Sequence, residues 1–305
     1  MIEKFNFYDV YGYFVPGAAF LAILWIPFGL VRHTWPPTTW TDAIVAAVLA
    51  YIVGHLLQSV ATNAVPASRL TTSSGQIRNF SETYLDPPKE PKDAVLPEGF
   101  RTKIQQLVTS QFGLDLKVTD KGDDVIDKLR GNAFLAARQM LIQGEAVSYA
   151  EQFQGMYALM RGLGSSFAIA VAYWLGWAAA PFKGPYIPGA AVLLAALSLF
   201  TLVDLSLITP KVSKPAVRRH LEQLFAVAIL CVFLAGGFML GSRYSATSRQ
   251  AVELLSLSVV SFIASLRSFA AYRFFAGQFA ATVWRDYLAY NVSVELNQKA
   301  EAGKR

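Results

Sequence analysis

The chain has 305 residues, 54% of them hydrophobic and only 16% charged, with a formal net charge of +6. Soluble domains carry about a quarter charged residues, so this composition, with a mean hydropathy of +0.36, argues against an ordinary water-soluble globule. The single cysteine, Cys231, lies inside an apolar run, which excludes structural disulfides within the chain.

Taken in chain order, six apolar stretches each approach the roughly 20 helical residues that a hydrocarbon core about 30 Å thick requires. The first, 15–31, could pass for a signal peptide. Pro16 and Pro27 inside it, the absence of an Ala-x-Ala site and the acids Glu3 and Asp9 ahead of it point instead to a retained helix. The second, 42–61, carries His55 and Gln58 three residues apart near its end, followed by Asn63. That spacing predicts one polar helical face. A long polar segment, 62–164, follows, with 12 basic and 12 acidic residues. Within it, 71–75 and 86–97 are rich in Thr, Ser, Pro and alternating charge and are expected to lack regular structure. A helix is expected after Pro97, ending near Gly113, and a second from Asp123 to Gly144. A third is expected from about Glu145, carrying Tyr149, Phe153, Met156 and Tyr157, with Gly162 and Gly164 interrupting it. The remaining spans are 165–181, 187–208, 221–241 and 252–271. The last should continue as a helix to about Val294, because no proline occurs there and Phe269, Tyr272, Phe275, Phe279, Val283, Trp284 and Tyr287 recur at three- and four-residue steps.

The pattern predicts an all-α, polytopic helical membrane protein with about six transmembrane helices and a cytoplasmic helical insertion between the second and third. Its expected regions are 1–61, 62–164, 165–271 and 272–305. Lys and Arg in short loops mark the cytoplasmic side. Lys211, Lys214, Arg218 and Arg219 lie between the fourth and fifth spans, and Arg273, Arg285, Lys299, Lys304 and Arg305 follow the sixth. The turn 34–41 has none. Both termini are therefore expected in the cytoplasm, with Trp25, Trp35 and Trp40 as an interfacial belt outside. The cluster Lys211, Lys214, Arg218 and Arg219 is a candidate site for anionic lipid. No basic patch interleaved with aromatics appears in the large loop, so no nucleic acid is expected.

Candidate chemistry is sparse. Asp204 is an acid within the fourth span, which is costly and often functional. With His55 and Gln58 it makes a candidate intramembrane polar site, and the structural alternative is interhelical hydrogen bonding. Gly237 and Gly241 form a Gly-x-x-x-Gly suited to close helix packing, within the chain or in a homo-oligomer. His33, His55 and His220 are far apart, and no zinc-protease, phosphate-loop or Gly-x-Ser-x-Gly pattern occurs. No cofactor, metal or catalytic residue is expected.

The segment Phe5-Asn-Phe-Tyr8-Asp9-Val-Tyr-Gly12-Tyr-Phe-Val-Pro16-Gly17 puts aromatic rings, one acid and Pro-Gly at the start of a span. It resembles the start of uncharacterised bacterial multi-pass membrane proteins of the type Phe-Tyr-Asp-x-Tyr-Gly followed by Pro-Gly. The segment from Phe153 to Arg161, and that from Tyr272 through Val283-Trp284-Arg285, resemble their middle and end. Some of these proteins resemble membrane components of phage-defence systems. The resemblance implies a non-enzymatic component of the bacterial inner membrane, a membrane-acting effector controlled through cytoplasmic helices by a protein partner. The residues alone leave a second reading, an ion channel or small-solute transporter using the second and fourth spans.

Overall fold

The computed structural model describes residues 7–35, 39–64, 69–71, 77–79, 85, 96–116, 123–144, 146, 149–182, 197, 215–244 and 246–302. One α-helical turn, Phe7–Asp9, and a π-turn, Val10–Phe14, lead into α1 (Val15–Arg32), and α2 is Trp40–Ala64. Two three-residue strands, β1 (Arg69–Thr71) and β2 (Ile77–Asn79), precede α3 (Glu98–Phe112) and α4 (Asp123–Gln143). The long helices α5 (Tyr149–Ala179), α6 (Pro215–Arg243) and α7 (Ser248–Ala302) complete the described elements.

Among the described residues five helices are long and apolar enough to cross a bilayer: Val10–Arg32, Trp40–Thr62, Tyr149–Phe182, Gln223–Arg243 and Ser248–Ala302. The fourth expected span, 187–208, lies outside the described residues save Leu197. The helical class is as expected, with one addition: β1 and β2 pair antiparallel, Thr71 opposite Ile77. Thr71 opens the stretch expected to be irregular.

Local signals explain the ends. His33 closes α1 in a left-handed conformation at φ 53°. The Asp42 amide donates to the Thr39 hydroxyl at 3.3 Å to start α2. At α7 the Thr247 amide donates to Gln250 Oε1 at 2.9 Å while the Gln250 amide donates to Thr247 Oγ1 at 3.3 Å, a reciprocal capping box. Gly113, at φ 66°, ends α3 by donating its amide to the Thr109 carbonyl.

The chain divides into two compact units, 1–66 with 155–272 and 67–154 with 273–305. In this division 273–305 groups with 67–154. In the second unit, Ile104, Val108, Ala133, Phe134, Ala137 and Leu141 pack with Ala280, Ala281, Val283, Trp284, Tyr287 and Leu288 in one core. Of the aromatic stripe read on the last helix, Phe279, Val283, Trp284 and Tyr287 belong to that core. The Tyr287 hydroxyl donates to Gln111 at 2.6 Å, and burial pushes its pKa up to about 12.

The first unit packs differently. Its central helix is α5, the most buried of the five apolar helices. Gly162 and Gly164 do not interrupt it; they let neighbours close in. A Cβ at Gly162 would stand 2.7 Å from the Pro16 ring, and one at Gly164 would stand 2.7 Å from the Phe269 ring. The Ser265 hydroxyl donates to the Gly164 carbonyl at 2.9 Å. Glycine's helix penalty of about 1 kcal/mol is offset where it admits such contacts.

Candidate functional site

Prolines in α1 dictate where the first unit is polar. Pro16 has no N–H to give the carbonyl four residues back, that of Gly12, and Pro27 likewise leaves that of Ile23 without its helical donor. Both prolines are buried, where an unmet carbonyl costs about 1–3 kcal/mol. Each carbonyl finds a side-chain donor on another helix. Gln58 Nε2 donates to the Gly12 carbonyl at 2.7 Å, and Trp174 Nε1 donates to the Ile23 carbonyl at 3.0 Å.

Gln58 is the hub of the larger group. The same Nε2 donates to the Ala158 carbonyl at 2.6 Å, and its Oε1 accepts from Arg161 Nε at 2.9 Å. Ser166 Oγ reaches the Gly162 carbonyl at 3.0 Å and the Pro16 carbonyl at 3.4 Å. Only 4% of Gln58 is exposed, and its amide is met by groups of α5 and the π-turn. Below it, α2 touches α1 and the π-turn backbone to backbone: a Cβ on Gly17 would overlap the Ala50 carbonyl, and one on Gly54 the Tyr13 carbonyl.

His55 does not share Gln58's setting. It is exposed, with its ring stacked on Tyr13 at 3.7 Å between centroids and edge-on to Tyr51 at 4.7 Å. Three residues make 300° of helical turn, and the remaining 60° separates an outward ring from an inward amide. Asp204, Lys211 and Lys214 lie outside the described residues. Arg218 and Arg219 fall in the first turn of α6, with side chains outside the described set.

Gly237 and Gly241 face α5. A Cβ on Gly237 would overlap the Tyr173 carbonyl, and one on Gly241 would stand 2.8 Å from Ala180 Cβ. Gly176 answers from α5, where a Cβ would overlap the Leu234 carbonyl. The motif is therefore occupied by packing inside the chain.

The Ser165 hydroxyl is buried with no hydrogen-bond partner among the described residues, and an activated serine needs a base within reach. Among the described residues no group of three His, Cys, Asp or Glu is placed to hold a metal ion. Arg161 and Trp174 are the site residues that sequence reasoning passed over. Their signal was present in Pro16 and Pro27, each of which frees a carbonyl that must be met by a donor from elsewhere.

Comparison with protein-family models, curated proteins and solved structures gives no match.

Proposed function

We propose that the chain is a non-enzymatic, multi-pass component of a bacterial inner membrane, with six spans, both termini cytoplasmic and 67–154 with 273–305 forming a cytoplasmic module. In this reading the module receives a protein partner and passes the event to the spans, as a membrane-acting effector of a defence or stress system. The observation that carries it is continuity: α5 and α7 run without a break from one compact unit into the other. These helices, 31 and 55 residues long, each carry residues of both units. The net charge supports the same placement, since basic residues gather in the segments assigned to the cytoplasmic face. A conduction path through Asp204, His55 and Gln58 has less support, because Gln58 gives its amide to helix carbonyls.

Two experiments test the reading. Single cysteines at Trp35 and Ser110, both exposed, on a Cys231→Ser background should react with an impermeant thiol reagent in intact cells at the first position only. Labelling at Ser110 overturns the orientation. Co-purification of the full chain, expressed with its neighbouring genes, in mild detergent should retain a stoichiometric partner whose arrival depolarises cells. Absence of both the retained partner and the depolarisation overturns the effector role.

A further inference from the structure

Four rings of the first unit make one continuous cluster at the start of α1. Tyr8 meets Tyr13 edge-on at 5.3 Å between centroids, Tyr13 meets Tyr51 at 6.2 Å, and His55 lies nearly parallel on Tyr13. The Tyr8 and Tyr13 side chains share a hydrogen bond. Tyr8, Tyr13 and Tyr51 are half-buried and His55 is exposed, so the cluster keeps an open face. Opposite charges flank it. Asp9 and Arg161 both lie within electrostatic reach of the Tyr13 hydroxyl, and Asp9 also reaches Tyr51.

Packing alone does not account for this composition. Other rings of the first unit, Phe20, Tyr173, Trp177 and Phe233, pack among apolar neighbours in its cores. Here bulky rings gather beside an acid and a guanidinium. Aromatic faces with a nearby carboxylate suit an ammonium group, and a guanidinium suits a phosphate. Gln58 takes one of the five N–H donors of Arg161. The level is also that of a headgroup. Asp9 immediately precedes the apolar stretch Val10–Arg32, whose 23 residues make about 35 Å of helix, close to a hydrocarbon core.

We propose that the Tyr8, Asp9, Tyr13, Tyr51, His55 and Arg161 cluster binds the headgroup of a phosphoethanolamine-type membrane lipid. The ammonium sits against the tyrosine rings with Asp9 as its counter-ion, and the phosphate meets Arg161 and His55. A primary ammonium offers N–H donors to the Asp9 carboxylate, which a trimethylammonium lacks, and an anionic glycerol headgroup offers no cation at all. The proposal rests on the membrane-spanning reading above.

The test uses the full chain in mild detergent with an equal mixture of phosphatidylethanolamine, phosphatidylglycerol and phosphatidylcholine, and mass spectrometry of the lipid that stays bound. Wild type should enrich phosphatidylethanolamine about fivefold over the other two. Asp9→Asn and Tyr51→Leu should each abolish the enrichment while an exposed control, Arg267→Gln, keeps it. Enrichment of phosphatidylglycerol, equal retention of the two zwitterionic lipids, or unchanged enrichment in both variants overturns the site. A chain that leaves membranes in alkaline carbonate without detergent and carries no lipid overturns the membrane reading instead.

Discussion

Helix α7 runs through two regions packed by opposite rules. From Leu254 to Tyr272 its buried positions include Ser258, Ser261, Ser265 and Ser268, while Val259, Val260, Phe262, Ile263 and Leu266 point outward. Further along, Val283, Trp284, Tyr287 and Leu288 are buried and Arg273, Arg285 and Glu295 are exposed. The second pattern is what water imposes, because burying large apolar groups is the main favourable term there. The first is what a bilayer imposes in the proposed reading. Lipid tails are as apolar as leucine, so large side chains gain nothing by turning inward, and small residues let backbones approach and hydrogen-bond. On the proposed reading, the same helix changes solvent along its length.

The comparison breaks first at its glycines. A leucine at Gly237 must displace the Tyr173 carbonyl, whereas the space beside Gly236 is open. Gly237→Leu should cost about 3 kcal/mol or more, and Gly236→Leu less than about 0.5. Unfolding in mixed detergent and dodecyl sulfate checks both, and equal effects would dissolve the backbone-contact account.

The water-side counterpart is Trp284, fully buried. Trp284→Ala should destabilise the second unit by about 3–5 kcal/mol, an ordinary core cavity, read as loss of its melting transition.

Next comes the carbonyl released by Pro16. Gln58→Leu should cost about 2 kcal/mol by leaving it unmet. On a Pro16→Ala background, where the helix regains the missing donor, the same change should cost measurably less, and a double-mutant cycle reads the difference. Full additivity would show that Gln58 acts independently of the proline.

Tyr287 sharpens the comparison by pH. Its folded pKa of about 12 lies above the ordinary 10.0, so the buried neutral phenol contributes fully below pH 10. That contribution is lost as pH rises from about 10 to about 12. Tyr287→Phe should flatten the stability profile over that window and cost about 1 kcal/mol below it, from the bond to Gln111. The smallest effect belongs to the exposed tail. Lys299, through its 2.7 Å bond to Glu295, holds that carboxyl below its usual range. Lys299→Ala should raise the Glu295 pKa in an NMR titration and leave the melting temperature unchanged.

Much of the fold was legible wherever local chemistry decides. The absence of proline after Val252, the glycine at Gly113 and the acids at Asp123 and Asp124 set α7, the end of α3 and the start of α4. The aromatic steps on the last helix marked a core face, and Gly237 and Gly241 marked a packing face. What escaped depends on partners distant in sequence. Gly162 and Gly164 carry a helix-breaking propensity that Pro16, Gln58 and Phe269 override by filling the space beside them. The spacing of His55 and Gln58 suggested one face, but whether 60° of rotation separates an exposed from a buried position depends on where α1 lies. Arg161 enters the site only because Gln58 is there to accept its N–H.

The central claim is that the outward apolar face of the first unit meets lipid and that of the second meets water. Ile263 and Leu296 offer the direct test, since both lie on α7 and are similarly exposed, at 55% and 61%. Spin labels at each position, on a Cys231→Ser background in reconstituted bilayers, can be relaxed by oxygen, which concentrates in lipid, or by a water-soluble nickel complex. The account predicts that oxygen dominates at position 263 and nickel at position 296. Equal access of the nickel complex to both positions would contradict it.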